Sequence, residues 1–125
     1  MLPIDNKTFV RRYLEAISGN EKPMALVRHY VADTDEALQQ HIIAGEIGFP
    51  HYELIAEDLV AEGDKVVVRF ILCGVHLGEF MGIPATGKTV AVPGIIIYRI
   101  DDGKIVEHWM QMDSVTLLQQ LGVQT

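Results

Sequence analysis

Apolar residues change their period near the middle of the chain. In the first half, Phe9, Val10, Tyr13, Leu14 and Ile17 recur at the three-and-four spacing of one helical face. Lys7, Arg11, Arg12 and Glu15 take the other face. Asp5 or Asn6 is placed to cap this helix and Gly19-Asn20 to end it. Pro23 suits the first turn of a short second helix carrying Met24, Leu26, Val27 and Tyr30. Asp33-Thr34-Asp35 offers a cap for a third, with Ala37, Leu38, His41, Ile42 and Gly45 as its stripe. Gly48-Phe49-Pro50 ends that helix, since the residue before a proline leaves the helical region.

From residue 51 the period falls to two, loosely at first, and Gly63-Asp64 then makes a turn. A strand from Lys65 to about His76 places Val66, Val68, Phe70 and Leu72 on one face. Val67, Arg69, Ile71, Cys73 and Val75 lie on the other. After Gly78 an irregular connection, EFMGIPATGK, leads to a strand over 89–100. Asp101-Asp102-Gly103 is a hairpin turn, 104–112 returns as the last strand, and Leu117, Leu118 and Leu121 give a closing helix its apolar face. Helices first and antiparallel hairpins after make an α+β domain rather than a βαβ alternation. Strands apolar on both faces need cover on both, and so few helices cannot supply it. The expectation is a homodimer through the second face.

The 125 residues suffice for one domain with its own core, read as 1–125. A net charge of -7, with no clustering of Lys or Arg, argues against nucleic acid as a partner. The lone Cys73 forms no internal disulfide or CxxC pair and is expected to be a small buried hydrophobe. With no apolar leader at the N-terminus and no run long enough for a bilayer, the expectation is a cytoplasmic protein without a membrane partner. None of His29, His41, His51, His76 and His108 forms an HxH or HExxH pair, so no metal site is expected. GIPATGK lacks the spacing of a phosphate loop.

The segments GEFMGIPATGKTV, YRIDDGKIVEHW, then Asp113 and LLQQLG, resemble the SnoaL-like polyketide cyclase family, part of the nuclear-transport-factor-like superfamily. The resemblance covers approximately residues 60–122. It implies a cone-shaped, strongly curved antiparallel sheet whose concave face encloses an apolar pocket with the N-terminal helices. It also implies homodimers through the convex face, a small apolar molecule as partner, and no metal or organic cofactor. In cyclases of this type an Asp near the end of the last strand is the acid/base residue, and the matching position is Asp113. The reaction implied is of cyclase or isomerase type on a carbonyl compound. A dehydratase, a hydrolase or a binding protein without turnover stands as the alternative on the same scaffold.

By the period of two, Ile105, Glu107, Trp109, Gln111 and Asp113 share one face. If that face is the cavity, Asp113 is an acid/base, Trp109 a wall and Gln111 a donor to an enolate oxygen. Otherwise Asp113 is the N-cap of the closing helix, Trp109 a core residue and Gln111 a solvated one. His76 is a second proton-transfer group at the pocket mouth or a turn residue. His41 enters the pocket or is a satisfied core histidine, and Tyr13 polarises a carbonyl or is a core aromatic. His108 alternates away from Asp113 and is expected on the opposite face, as a packing or dimer-interface residue. Arg69 is expected to pair with Glu107.

Overall fold

The computed structural model describes residues 4–123. The helical spacing becomes α1 (Asn6–Ile17), α2 (Met24–Tyr30) and α3 (Glu36–Gly48), with a 3-10 turn, Asp33–Asp35, leading into α3. The alternating half becomes β1 (Glu53–Glu62), β2 (Lys65–Val75), β3 (Thr89–Asp101) and β4 (Lys104–Met112), followed by α4 (Ser114–Leu121). Asp5 caps α1 by accepting from the Thr8 amide, and Asp35 caps α3 by accepting from the Leu38 amide. Asp102 and Gly103 both take positive φ, 49° and 73°, as a tight hairpin turn between β3 and β4 requires.

The four strands pair in chain order, each antiparallel to the next, so β1 and β4 remain edges and the curved sheet is not closed. Pro93 and Gly94 sit inside β3, where Gly94 lets the Phe70 ring cross the strand; a Cβ there would lie 2.5 Å from Phe70 Cζ. Two bulges interrupt the ladders, between Ala56 and Asp58 in β1 and opposite Arg99/Ile100 in β4. A bulge shifts the side-chain parity of everything beyond it.

The larger core packs Val10, Tyr13, Leu14 and Ile17 of α1 and Leu38 and Ile42 of α3 on Val66, Val68 and Phe70 of β2 and on Ile96, Tyr98 and Ile100 of β3. A second core, Phe49, Tyr52, Val90, Val92, Leu117 and Leu121, seats α4 on the other end of the sheet. Lys22 fixes the link between α1 and α2. Its ammonium is buried and donates to Glu46 Oε1 (2.9 Å) and to the carbonyls of Asn20 (2.9 Å) and Tyr52 (3.1 Å). It also lies 4.1 Å from the centre of the Tyr52 ring.

On the opposite face the odd residues of β2 and β3 are only partly covered. Ile55, Val60, Ile95 and Trp109 are exposed there. Cys73 is half-buried rather than buried. Arg69 pairs with Asp58 and Glu57, not with Glu107, which instead holds Arg99 at 2.9 Å. Register decides this: Asp58 stands directly across from Arg69 and Glu107 across from Arg99. Among the described residues no helix is long and apolar enough to cross a membrane.

Candidate functional site

Between the concave side of the sheet, α1 and α3 lies a cavity of about 540 Å³, within the size range of small-molecule sites. Its walls are Phe70 and Leu72 of β2, Ile96 and Tyr98 of β3, Met110 and Met112 of β4, and Leu38 and Ile42 of α3. The exposed side chains of Ile47 and Met81, with Glu79, form the rim. Nearly all of this surface is apolar.

Three polar groups of the wall bear on chemistry. Tyr13 from α1 and Tyr98 from β3 meet edge to face, ring centres 5.7 Å apart, and both are buried. Burial, and after it a neighbouring phenol (Tyr98 beside Tyr13, Tyr52 beside Tyr98), pushes both hydroxyls well above the usual tyrosine range although the Tyr13 hydroxyl opposes the shift of Tyr98, so they act as hydrogen-bond donors and not as bases. Tyr98 Oη has no hydrogen-bond partner among the described residues, although it is sealed from solvent. The third group is His41 of α3, exposed where the cavity opens. Among the described residues no lysine or arginine lines the cavity, and the one carboxylate that does, Glu79, is at the rim.

The structure therefore brings together two of the residues singled out from the sequence, Tyr13 and His41, and separates the rest from them. Trp109 and Gln111 point out of the opposite face, Trp109 with 45% of its surface exposed. Asp113 is exposed and does not line the cavity. It is the N-cap of α4, accepting from the Thr116 amide (3.0 Å) and hydroxyl (2.6 Å), and these donors hold its carboxyl below the usual range. His76 is fully buried but outside the cavity, stacked on Phe49 with ring centres 5.1 Å apart. Its Nδ1 accepts from the Thr86 amide at 3.2 Å, which pins the loop after β2.

The β4 bulge explains the displaced residues. Ile105 is buried in the core, but after the bulge Glu107, Trp109 and Gln111 turn outward, while His108, Met110 and Met112 turn inward. His108 thus lies on the concave side, the reverse of the sequence expectation. Its Nδ1 meets the buried Asp35 carboxylate at 2.8 and 3.0 Å. Its ring packs edge to face with His41, centres 5.6 Å apart. Tyr98 was also missed; its signal was its place on the Ile96 face of β3, two residues on. Among the described residues no three His, Cys, Asp or Glu side chains converge as a metal site would need.

Comparison with known proteins agrees with this geometry. The model of the SnoaL-like polyketide cyclase family matches residues 31–121. The aklanonic acid methyl ester cyclase DnrD of Streptomyces peucetius is 38% identical over 60 residues, which is 48% of this chain and 41% of that protein. The match thus spans less than half the length of that curated relative. TsrD from Streptomyces laurentii has the same fold, with a TM-score of 0.81 at 28% identity over 98% of this chain and all of that one. AclR from Streptomyces galilaeus, a candidate hydroxylase, gives 0.79 at 27% identity, covering 93% of this chain and 80% of that one.

Proposed function

Since the chain belongs to the SnoaL-like polyketide cyclase family, we propose that its cavity takes up an uncharged, largely apolar carbonyl compound and converts it by proton transfer, in a reaction of cyclase or isomerase type. One observation carries this reading: a cavity of about 540 Å³ with an almost wholly apolar wall, into which α1 and β3 bring the paired phenols of Tyr13 and Tyr98. A carbonyl oxygen deep in the cavity would lie nearest the phenols of Tyr13 and Tyr98, and Tyr98 Oη, closed off within the wall, would reach it on a small side-chain shift. Tyr13 stands beside it as a second donor, so charge developing on that oxygen would meet preplaced dipoles. The lack of cationic lining favours a ketone or ester over a free acid. The DnrD relative is named for an ester.

A bicyclic aromatic ketone, 2-tetralone, is a suitable probe. Calorimetric titration should show binding to the wild type and none to Ile96→Trp, which fills the cavity from β3. Equal binding to both would refute the cavity as the site.

A second reading, uptake without turnover, is favoured by Asp113 lying outside the cavity and by an inner wall without a carboxylate among the described residues. Hydrogen exchange at the carbon next to the carbonyl of the bound ketone separates the two readings.

We further propose a homodimer through the convex face. Exposed Ile95 and Trp109 sit there on adjacent strands, beside the partly covered Ile97, and a second copy would cover them.

A further inference from the structure

We propose that His108, oriented by Asp35, is the proton-transferring base of this protein, acting from the β4 side of the cavity opening. This rests on the reading of the cavity as a site for a carbonyl compound and supplies the group that reading lacks.

Three elements build the arrangement. The turn before α3 places Asp35, whose carboxylate caps the helix at the Leu38 amide (3.1 Å) and is itself buried. Carbonyl contacts lock that turn to β4: the Ala32 amide donates to the Ile105 carbonyl at 2.8 Å and the Thr34 hydroxyl to the Val106 carbonyl at 3.2 Å. The β4 bulge then rotates His108 inward, onto Asp35. The side chains of His108 and Asp35 are only 8% and 5% exposed, so the pair is fixed by its surroundings.

The hydrogen bonding assigns roles to the two ring nitrogens. An ionised carboxylate only accepts, so Nδ1 carries the proton that it donates to Asp35. That leaves Nε2 of the neutral ring with a lone pair. Nε2 makes no hydrogen bond among the described residues, and the His108 side chain keeps 8% of its surface exposed. His41, which lines the cavity, packs against this ring, and Met110, two residues along the same strand face, lines it as well. His108 is not itself part of the lining: its ring sits directly behind His41, so a ligand at the opening meets Nε2 where the exposed His41 side chain swings aside. A buried carboxylate, a histidine whose tautomer it sets, and an Nε2 one side chain behind the cavity wall form the orienting half of a general-base site.

The step balances without a further reactant. Nε2 takes a proton from the carbon next to the carbonyl, and the electron pair of that C–H bond moves into an enolate whose oxygen lies toward the Tyr13–Tyr98 pair. The enolate carbon attacks a second carbonyl of the same molecule and forms the new C–C bond. The alkoxide so produced takes the proton back from Nε2. Through the step the proton on Nδ1 stays with the Asp35 contact, so Asp35 is a positioning residue and His108 the catalytic one.

The test uses the intact chain with 2-tetralone in deuterated buffer, following exchange of the ketone's α-hydrogens by NMR at saturating protein. The wild type should accelerate exchange. His108→Gln should lose about 100-fold of that acceleration, a typical worth for a general base, while still binding the ketone. Asp35→Asn keeps a capping oxygen, and should lower the exchange rate roughly tenfold or more without weakening binding. Independently of any ligand, the histidine nitrogen spectrum should show the His108 proton on Nδ1 and a bare Nε2.

A folded His108→Gln variant with wild-type exchange, loss of exchange in His41→Gln alone, or a proton found on Nε2 would overturn the assignment. So would a bound ketone that the wild type does not exchange, with the cavity reading left standing. A ketone that fails to bind at all removes the cavity reading and the base together.

Discussion

Asp113 receives two hydrogen bonds from Thr116, through its hydroxyl and its amide, and these lower its pKa. A carboxyl whose pKa is depressed on folding adds stability above its unfolded value, and that contribution is lost as pH falls through the folded value. Asp113→Ala should therefore melt a few degrees below the wild type near neutral pH, with the gap closing on acidification, while ketone affinity stays unchanged. A large loss of affinity would return Asp113 to the site. Tyr98→Phe should behave in the opposite way. Removing a buried hydroxyl without a partner should leave stability equal or raise it by about 1 kcal/mol, measured by urea unfolding, and weaken ketone binding. Both roles of Asp113, acid and cap, were legible in the sequence, because Asp suits either. What the sequence did not carry was the side on which it falls.

Elements decide such sides. Caps and turns read directly, because their chemistry is local: Asp5 and Asp35 in the first half and the Asp102-Gly103 turn in the second stand where their chemistry places them. Strand parity in β4 does not read directly, because one bulged residue near Val106 reverses every face after it, and a bulge is fixed by pairing with β3 rather than by local composition. Trp109, Gln111 and His108 were each misplaced for this one reason. The Lys22–Glu46 contact joins segments far apart in the chain and was equally silent. Burial lowers the Lys22 pKa while Glu46 opposes that shift, and the ammonium holds the link between α1 and α2, the α3 side chain and the start of β1 together. Lys22→Ala should cost about 3 kcal/mol in chemical denaturation, since it leaves Glu46 without its cation. A cost within experimental error would show that the link holds itself.

At the scale of the molecule, a sheet with two apolar faces was visible in the strand patterns of 65–76 and 89–100, and the fold followed from it. One face closes over the cores and the cavity; the other presents Ile95 and Trp109 to solvent. A carboxylate inserted there should prevent self-association, so Ile95→Glu should sediment as a monomer and the wild type as a dimer. A monomeric wild type would contradict the proposed interface. The family assignment bounds the chemistry more loosely than the cavity does, because a neighbour of nearly the same fold is a candidate hydroxylase. A ligand held in the apolar cavity must touch the methionines of its wall. Met110 and Met112 lie in its wall and Met24 packs at the larger core, outside the cavity lining. With methyl-labelled methionine and 2-tetralone, the Met110 and Met112 resonances should shift and saturate together while Met24 stays in place; saturation that leaves Met110 and Met112 unmoved would contradict the account.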